Sequence, residues 1–126
     1  MTISDIRTLL SCDVYAGDDL LDRQVLYGCA SDLMSDVLAF SRSGAVLLTG
    51  LVNVQTIQTA YIADVDAVIV VRGKRPDQTM ISFAKEKHVP LLGTPYSMYE
   101  ASGILYRAGI PSTMQAALKV HNSGRA

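Results

Sequence analysis

Apolar positions along this chain switch between a helical period and short unbroken runs, and the switches are regular. Ile3, Ile6, Leu9 and Leu10 lie on one helical stripe behind Thr2, a residue type that caps helix starts, which predicts a helix over 2–11. Cys12 to Ala16 predicts a short first strand, ended by Gly17 and the acidic pair Asp18-Asp19. In Gln24 to Cys29, Val25 and Tyr27 alternate with Gln24 and Leu26, a second strand. Ser31 is then the expected cap of a helix with its core stripe on Met34, Val37, Leu38 and Ser41, stopped at Gly44. Ala45 to Thr49 is a continuous apolar strand, and Asn53 opens a helix carrying Val54, Ile57, Ala60 and Tyr61. Ala67 to Val71 is rich in β-branched residues and predicts another strand. Asp77 caps a helix with Met80, Phe83, Ala84 and Lys87 at helical spacing, and Val89 to Leu92 follows as a strand. Ser97-Met98-Tyr99-Glu100 fits a capping box, whose helix runs to Ala108 and stops at Gly109. A second box, Ser112-Thr113-Met114-Gln115, predicts a last helix before the polar tail 122–126.

Strands apolar on both sides, each followed by a helix, imply parallel neighbours covered on both faces. The expected fold class is α/β: one layered domain over 1–126 with a mostly parallel sheet of about five strands flanked by helices. No linker, repeat or low-complexity stretch divides it, and 126 residues suit a single core.

Composition narrows the function. With 49% apolar residues and a net charge of only −1, the chain is not disordered. That charge balance leaves no excess of cations for a phosphate backbone, so nucleic acid is not an expected partner. No apolar run approaches the ~18 residues of a membrane span, and residues 1–20 lack the order of a secretory leader, so no membrane partner and a cytoplasmic location are expected. Cys12 and Cys29 stand 17 positions apart, and His88 and His121 are isolated from them and from each other. Such spacing builds neither a zinc site nor a disulfide scaffold, so these read as two small buried thiols and two surface imidazoles, with no metal and no cofactor. The acids Asp13, Asp18, Asp19 and Asp22 lie in a turn-rich stretch and read as a solvated surface. No serine or cysteine has a histidine base that can be argued for it. Tyr99 and Tyr106, seven apart on one helix, read as core or as a dimer seam.

Ligands of open parallel sheets gather beyond the carboxyl ends of the strands. Three loops fall there, 49–53, 72–77 and 93–97. They supply the candidate ligand-binding set Thr49, Gly50, Asn53, Arg72, Gly73, Lys74, Arg75, Thr94 and Ser97. Three cations in the four positions 72–75 would meet an anion, together with the amides of the helix that begins near Asp77. The bland alternative is ordinary turn chemistry in short polar loops. Neither GxxxxGK[ST] nor GxGxxG occurs.

The stretches Leu21-Asp22-Arg23-Gln24-Val25 and Tyr27 through Val37, with Gly73-Lys74-Arg75-Pro76-Asp77 and Val89-Pro90-Leu91-Leu92-Gly93-Thr94, together resemble the DRTGG domain family, in particular its short stand-alone members. The resemblance covers roughly residues 12–110 and leaves 112–126 as a C-terminal helix and tail. It departs from the family's name. The Thr-Gly-Gly expected after the central strand corresponds to Val71-Arg72-Gly73, and Val52-Asn53 stand where the namesake Asp-Arg would follow Thr49-Gly50. The resemblance implies a fold similar to the amino-terminal domain of HPr kinase/phosphorylase. It also implies an accessory, dimerising role beside catalytic domains. The expected function is therefore a non-catalytic regulatory module and homodimer that senses an anionic metabolite or adenine nucleotide and modulates a partner enzyme or sensor kinase. Two alternatives stay open: an adaptor that docks on protein and binds no small molecule, and a small enzyme using Asp22, Asn53 or a tyrosine.

Overall fold

Aliphatic and β-branched runs become the inner strands of one sheet, because only a position covered on both faces can hold them. The structure, a computed structural model, describes residues 1–114. Its elements are α1 (Ile3–Leu9), β1 (Asp13–Ala16), a 3-10 turn (Asp18–Leu20), β2 (Tyr27–Ala30), α2 (Met34–Phe40), β3 (Ala45–Thr49), α3 (Val54–Ile62), β4 (Ala67–Val70), α4 (Gln78–Lys87), β5 (Leu91–Gly93) and α5 (Met98–Arg107). The strand order is β1-β5-β4-β3-β2, with β2 to β5 parallel and β1 antiparallel at the edge. This is the expected five-stranded, mostly parallel sheet.

Because β2, β3, β4 and β5 add in one direction, the crossovers α2, α3 and α4 all fall on the same face. There Met34, Val37, Ile57, Ala60, Met80 and Ala84 pack on Leu47, Val68, Val70 and Leu91. The alternate strand residues Val46, Leu48, Ile69 and Leu92 face the other way and meet α1 and α5 through Ile3, Ile6, Ala101 and Leu105. The loop after β4 thus leads to one face and the loop after β5 to the other. That divergence is the crevice at which open α/β sheets bind ligands.

Several boundaries differ from the sequence reading, each for a local reason. Residues 24 and 25 pair with the amino terminus instead of β3: Thr2 bridges Gln24, and Val25 N donates to Met1 O at 2.7 Å. Cys12 N donates to Arg7 O and so still belongs to the end of α1. Ser31 does not cap α2. Its hydroxyl accepts from Leu33 N at 3.0 Å in a tight turn, and Leu33 takes the N-cap position without a side-chain bond. Leu38 is 50% exposed, and Val54 and Tyr61 are exposed too, because each helix buries a narrower stripe than the pattern suggested. In α3, Thr56 and Thr59 join Ile57 and Ala60 in that stripe. Capping by Thr2, Asn53, Asp77 and Ser97 is as expected, with full capping boxes at Thr2/Asp5 and Ser97/Glu100. The helix expected from the second box falls mainly on 115–126, outside the described residues. Among the described residues no helix is long and apolar enough to cross a membrane.

Candidate functional site

At the carboxyl ends of β3, β4 and β5 the chain stitches its own loops together. Beyond β4, Arg72 and Gly73 both take left-handed backbone, with φ of 62° and 68°. This turns their amides across the crevice: Arg72 N donates to Tyr96 O at 2.7 Å, and Gly73 N to Thr94 O at 2.9 Å. The divergence between β4 and β5 is therefore bridged by backbone hydrogen bonds.

There Lys74 Nζ donates to Gly50 O at 2.7 Å, which ties the 72–77 loop onto the 49–53 loop. From the other side comes Asp32, two residues past β2. Its Oδ1 accepts from Gly50 N at 2.6 Å and from the Thr49 hydroxyl at 3.0 Å. A Cβ built on Gly50 would lie 3.4 Å from both Asp32 carboxylate oxygens and 3.5 Å from Arg72 Nη2. Gly50 thus lies between the Asp32 carboxylate and the Arg72 guanidinium.

The sequence-predicted residues divide into two groups. Gly50, Arg72, Gly73 and Lys74 come together, and Arg75 is exposed on the same loop. Thr49, Asn53, Thr94 and Ser97 have their side chains engaged in holding the loops. The Thr49 hydroxyl is bound to Asp32, Asn53 Oδ1 accepts from Thr56 N, Thr94 donates to Leu10 O at 2.6 Å, and Ser97 bonds Glu100. The first turn of α4 is likewise capped, since Asp77 Oδ1 accepts from Met80 N at 2.8 Å. Asp32 escaped the sequence reading because Ser31 was taken as the cap of α2 and the short loop after β2 was not counted among the strand ends. The signal was present: an aspartate two residues after the run Tyr27–Ala30, at the same edge of the sheet as the three loops.

A concavity elsewhere in the fold was also not foreseen. At the β2 edge a cleft of about 310 Å³ is lined by Cys29, Ser31, Phe40, Leu105, Tyr106 and Thr113, among others. It exists because the chain returns after α5 to pair with β2, Gly28 N donating to Pro111 O and Thr113 N to Gly28 O. Burial pushes the Cys29 thiol up from its ordinary range, against weaker help from the Thr113 and Ser41 hydroxyls. Burial also pushes Cys12 up to about 12. Neither is an activated nucleophile. Cys12 is buried as expected, while Cys29 is half-buried and lines the cleft; His88 is exposed, and His121 lies outside the described residues. Among the described residues no three His, Cys, Asp or Glu side chains group as a metal would require. Tyr99 and Tyr106 are 81% and 66% exposed, so they are not core.

The family model of the DRTGG domain matches residues 5–108. No curated protein matches the chain. Among solved structures, that of the CBS and DRTGG domains of the regulatory region of Clostridium perfringens pyrophosphatase, complexed with its activator diadenosine tetraphosphate, matches with a TM-score of 0.66 and 19% identity. The match covers 80% of this chain and 44% of that one, so the chain spans less than half of the neighbour's length.

Proposed function

The chain belongs to the DRTGG domain family, and from that premise we propose that it is a non-catalytic regulatory module that senses an anionic metabolite, an adenine nucleotide foremost. The binding site is the strand-end cluster of Gly50, Arg72, Gly73, Lys74 and Arg75, with Thr49, Asn53, Thr94 and Ser97 holding its loops. The observation that carries this reading is the convergence of Arg72 and Lys74 on the Gly50 backbone, two cations brought together from the β4 loop over the end of β3. The regulatory region that shares this fold is complexed with a nucleotide activator, which supports the choice of ligand. The chemistry of the cluster supports a sensor over an enzyme: it presents charges but no base held by an orienting partner. The module acts as a homodimer on a partner enzyme or kinase.

The test is thermal denaturation and native mass spectrometry of the full chain with AMP, ATP and diadenosine tetraphosphate. A ligand that binds only the folded state at 100 times its Kd stabilises by about 2.7 kcal/mol. The expected result is a raised Tm in the wild type that is lost in Arg72→Ala/Lys74→Ala. A wild type indifferent to all three nucleotides refutes the reading.

One observation favours a second reading, an adaptor that docks on protein without a small molecule. α5 shows solvent Tyr99 and Tyr106, large amphipathic side chains suited to protein interfaces. Indifference to nucleotides together with loss of self-association in Tyr99→Ala/Tyr106→Ala would favour that reading.

A further inference from the structure

The cleft at the β2 edge shares no lining residue with the strand-end cluster, and its chemistry is different. Among the described residues no lysine, arginine or histidine lines it, and its one charged side chain is the Asp36 carboxylate. A phosphate or carboxylate gains nothing there. Leu48, Leu105 and Ile110, all buried, give it an apolar wall. Two aromatic rings reach it from helices on opposite faces of the sheet, Phe40 from the end of α2 and Tyr106 from α5, 46% and 66% exposed. Its volume of about 310 Å³ stands at the lower end of the range for small-molecule sites, about 300–1,000 Å³.

Polarity in the cleft comes from the edge of β2 itself. A strand turns the N–H and C=O of successive residues to alternate sides. Gly28 faces outward, bonded to Pro111 O and Thr113 N, and Ser31 N faces β3, donating to Leu48 O at 3.1 Å. Ala30 therefore turns both its N–H and its C=O outward into the cleft it lines, where neither has a partner among the described residues. The hydroxyls of Ser31 and Ser112 are engaged by Leu33 N and Met114 N. A partner strand would gain the bonds of a single residue, because Pro111 and Thr113 already cover Gly28 and β2 ends at Ala30. One donor beside one acceptor, between apolar and aromatic side chains, instead suits a small uncharged ring system. We propose that this cleft binds a nucleobase, free or as its nucleoside, with the base edge on the Ala30 N–H and C=O and the ring against Phe40 and Tyr106. For adenine, N1 accepts from Ala30 N and the 6-amino group donates to Ala30 O. This site does not rest on the strand-end reading.

Isothermal titration of the full chain with adenosine and with purine riboside, which carries hydrogen in place of the 6-amino group, tests this. Adenosine is expected to bind about fivefold more tightly, the loss of one neutral hydrogen bond. Tyr106→Ala and Phe40→Ala are each expected to weaken adenosine about tenfold through lost stacking, while Tyr106→Phe retains it. Both side chains are exposed enough for these variants to fold. Arg72→Ala/Lys74→Ala is expected to leave adenosine binding unchanged. In amide-resolved NMR of the wild type, adenosine is expected to move the amide of Ala30 and leave those of Gly50 and Gly73 in place. A wild type that binds no adenosine overturns the proposal, as does equal binding of the two nucleosides. Binding that survives both alanine variants but is lost in Arg72→Ala/Lys74→Ala, with shifts at Gly50 and Gly73, overturns the cleft and assigns adenosine to the strand-end cluster.

Discussion

Replacing Asp32 by alanine removes the acceptor that holds the end of β3, and the structure sets the size of the effect. Asp32 Oδ1 takes two donors, Gly50 N at 2.6 Å and Thr49 Oγ1 at 3.0 Å. Both donor residues are buried, Thr49 with no exposed surface at all. A buried donor left without a partner costs about 1–3 kcal/mol. The exposed position of Asp32 lets water enter once the carboxylate is gone, and the Thr49 hydroxyl is free to turn, so the two losses do not sum in full. Asp32→Ala is therefore expected to cost about 2 kcal/mol. With a urea slope of ~2 kcal/mol per molar, the midpoint falls by about 1 M, at unchanged slope. Asp32→Asn keeps an oxygen in place of Oδ1 but gives up the charge, which roughly halves the strength of each bond. It should cost less than about 1 kcal/mol. Equilibrium urea unfolding of the three proteins decides the matter. If Asp32→Ala lies within 0.5 kcal/mol of wild type (about the noise of such comparisons), or if the asparagine variant falls as far as alanine, the carboxylate is not the anchor of the β3 end.

Three further outcomes follow from groups elsewhere in the fold. Cys12 is held protonated by burial up to about 12, against 9.0 for a free thiol, so the unfolded chain ionises first. The stability this confers is full below pH 9 and is lost as pH rises toward 12, and the loss should be smaller in Cys12→Ala, as urea unfolding at pH 8 and pH 10.5 would show. Burial likewise raises the Asp66 carboxyl above 3.8, with Arg23 and the Gly44 amide opposing it, so at neutral pH the folded state carries a charge it disfavours. Asp66→Asn should be more stable than wild type at pH 7 and lose that advantage below pH 4; a less stable variant at pH 7 would show that the ionised carboxylate is needed. Gly17 has φ of 88°, and a Cβ there would sit 2.7 Å from Pro90 Cα, backbone that cannot give way. Gly17→Ala should therefore cost more than the ~1 kcal/mol of Gly109→Ala, whose φ is also positive but whose surroundings are open, by thermal unfolding.

The parallel core was legible because burial on both faces leaves an unmistakable record in the residues. Ala45–Thr49 and Ala67–Val70 are buried throughout, and nothing but an inner strand accommodates such runs. Helix starts were legible through Thr2, Asn53, Asp77 and Ser97, whose side chains satisfy amides three residues on. The edges were not, because an edge is defined by a partner far along the chain. β2 owes its outer hydrogen bonds to Pro111 and Thr113, and Gln24 pairs with Thr2; neither contact has a local signature. The site suffered for the same reason. Loop residues chosen for polarity included four whose polar groups are consumed by the loops, and the carboxylate that binds Gly50 N lay in the β2–α2 loop, read only as the start of a helix.

Arg72 ties the strained part of the fold to its chemistry. An L-residue in left-handed backbone costs roughly 1–2 kcal/mol relative to its usual conformation, yet Arg72 adopts φ of 62° directly before Gly73 at 68°. The two hydrogen bonds to Tyr96 O and Thr94 O fix the turn, and the turn aims the guanidinium at Gly50. Glycine at this position would adopt the same turn at little cost. If Arg72 binds the ligand as proposed, arginine here gives up stability for a charge beside Gly50, the pattern expected where binding competes with folding. Arg72→Gly should accordingly raise stability by about 1 kcal/mol, while Arg72→Ala, which keeps the backbone strain and removes the same charge, should leave stability near wild type. Both should lose nucleotide binding to the same extent. Side-by-side urea unfolding and titration with AMP separate the two roles. A glycine variant less stable than alanine would mean that the turn carries no strain, and a glycine variant that still binds would mean that the guanidinium is not the group that reads the ligand.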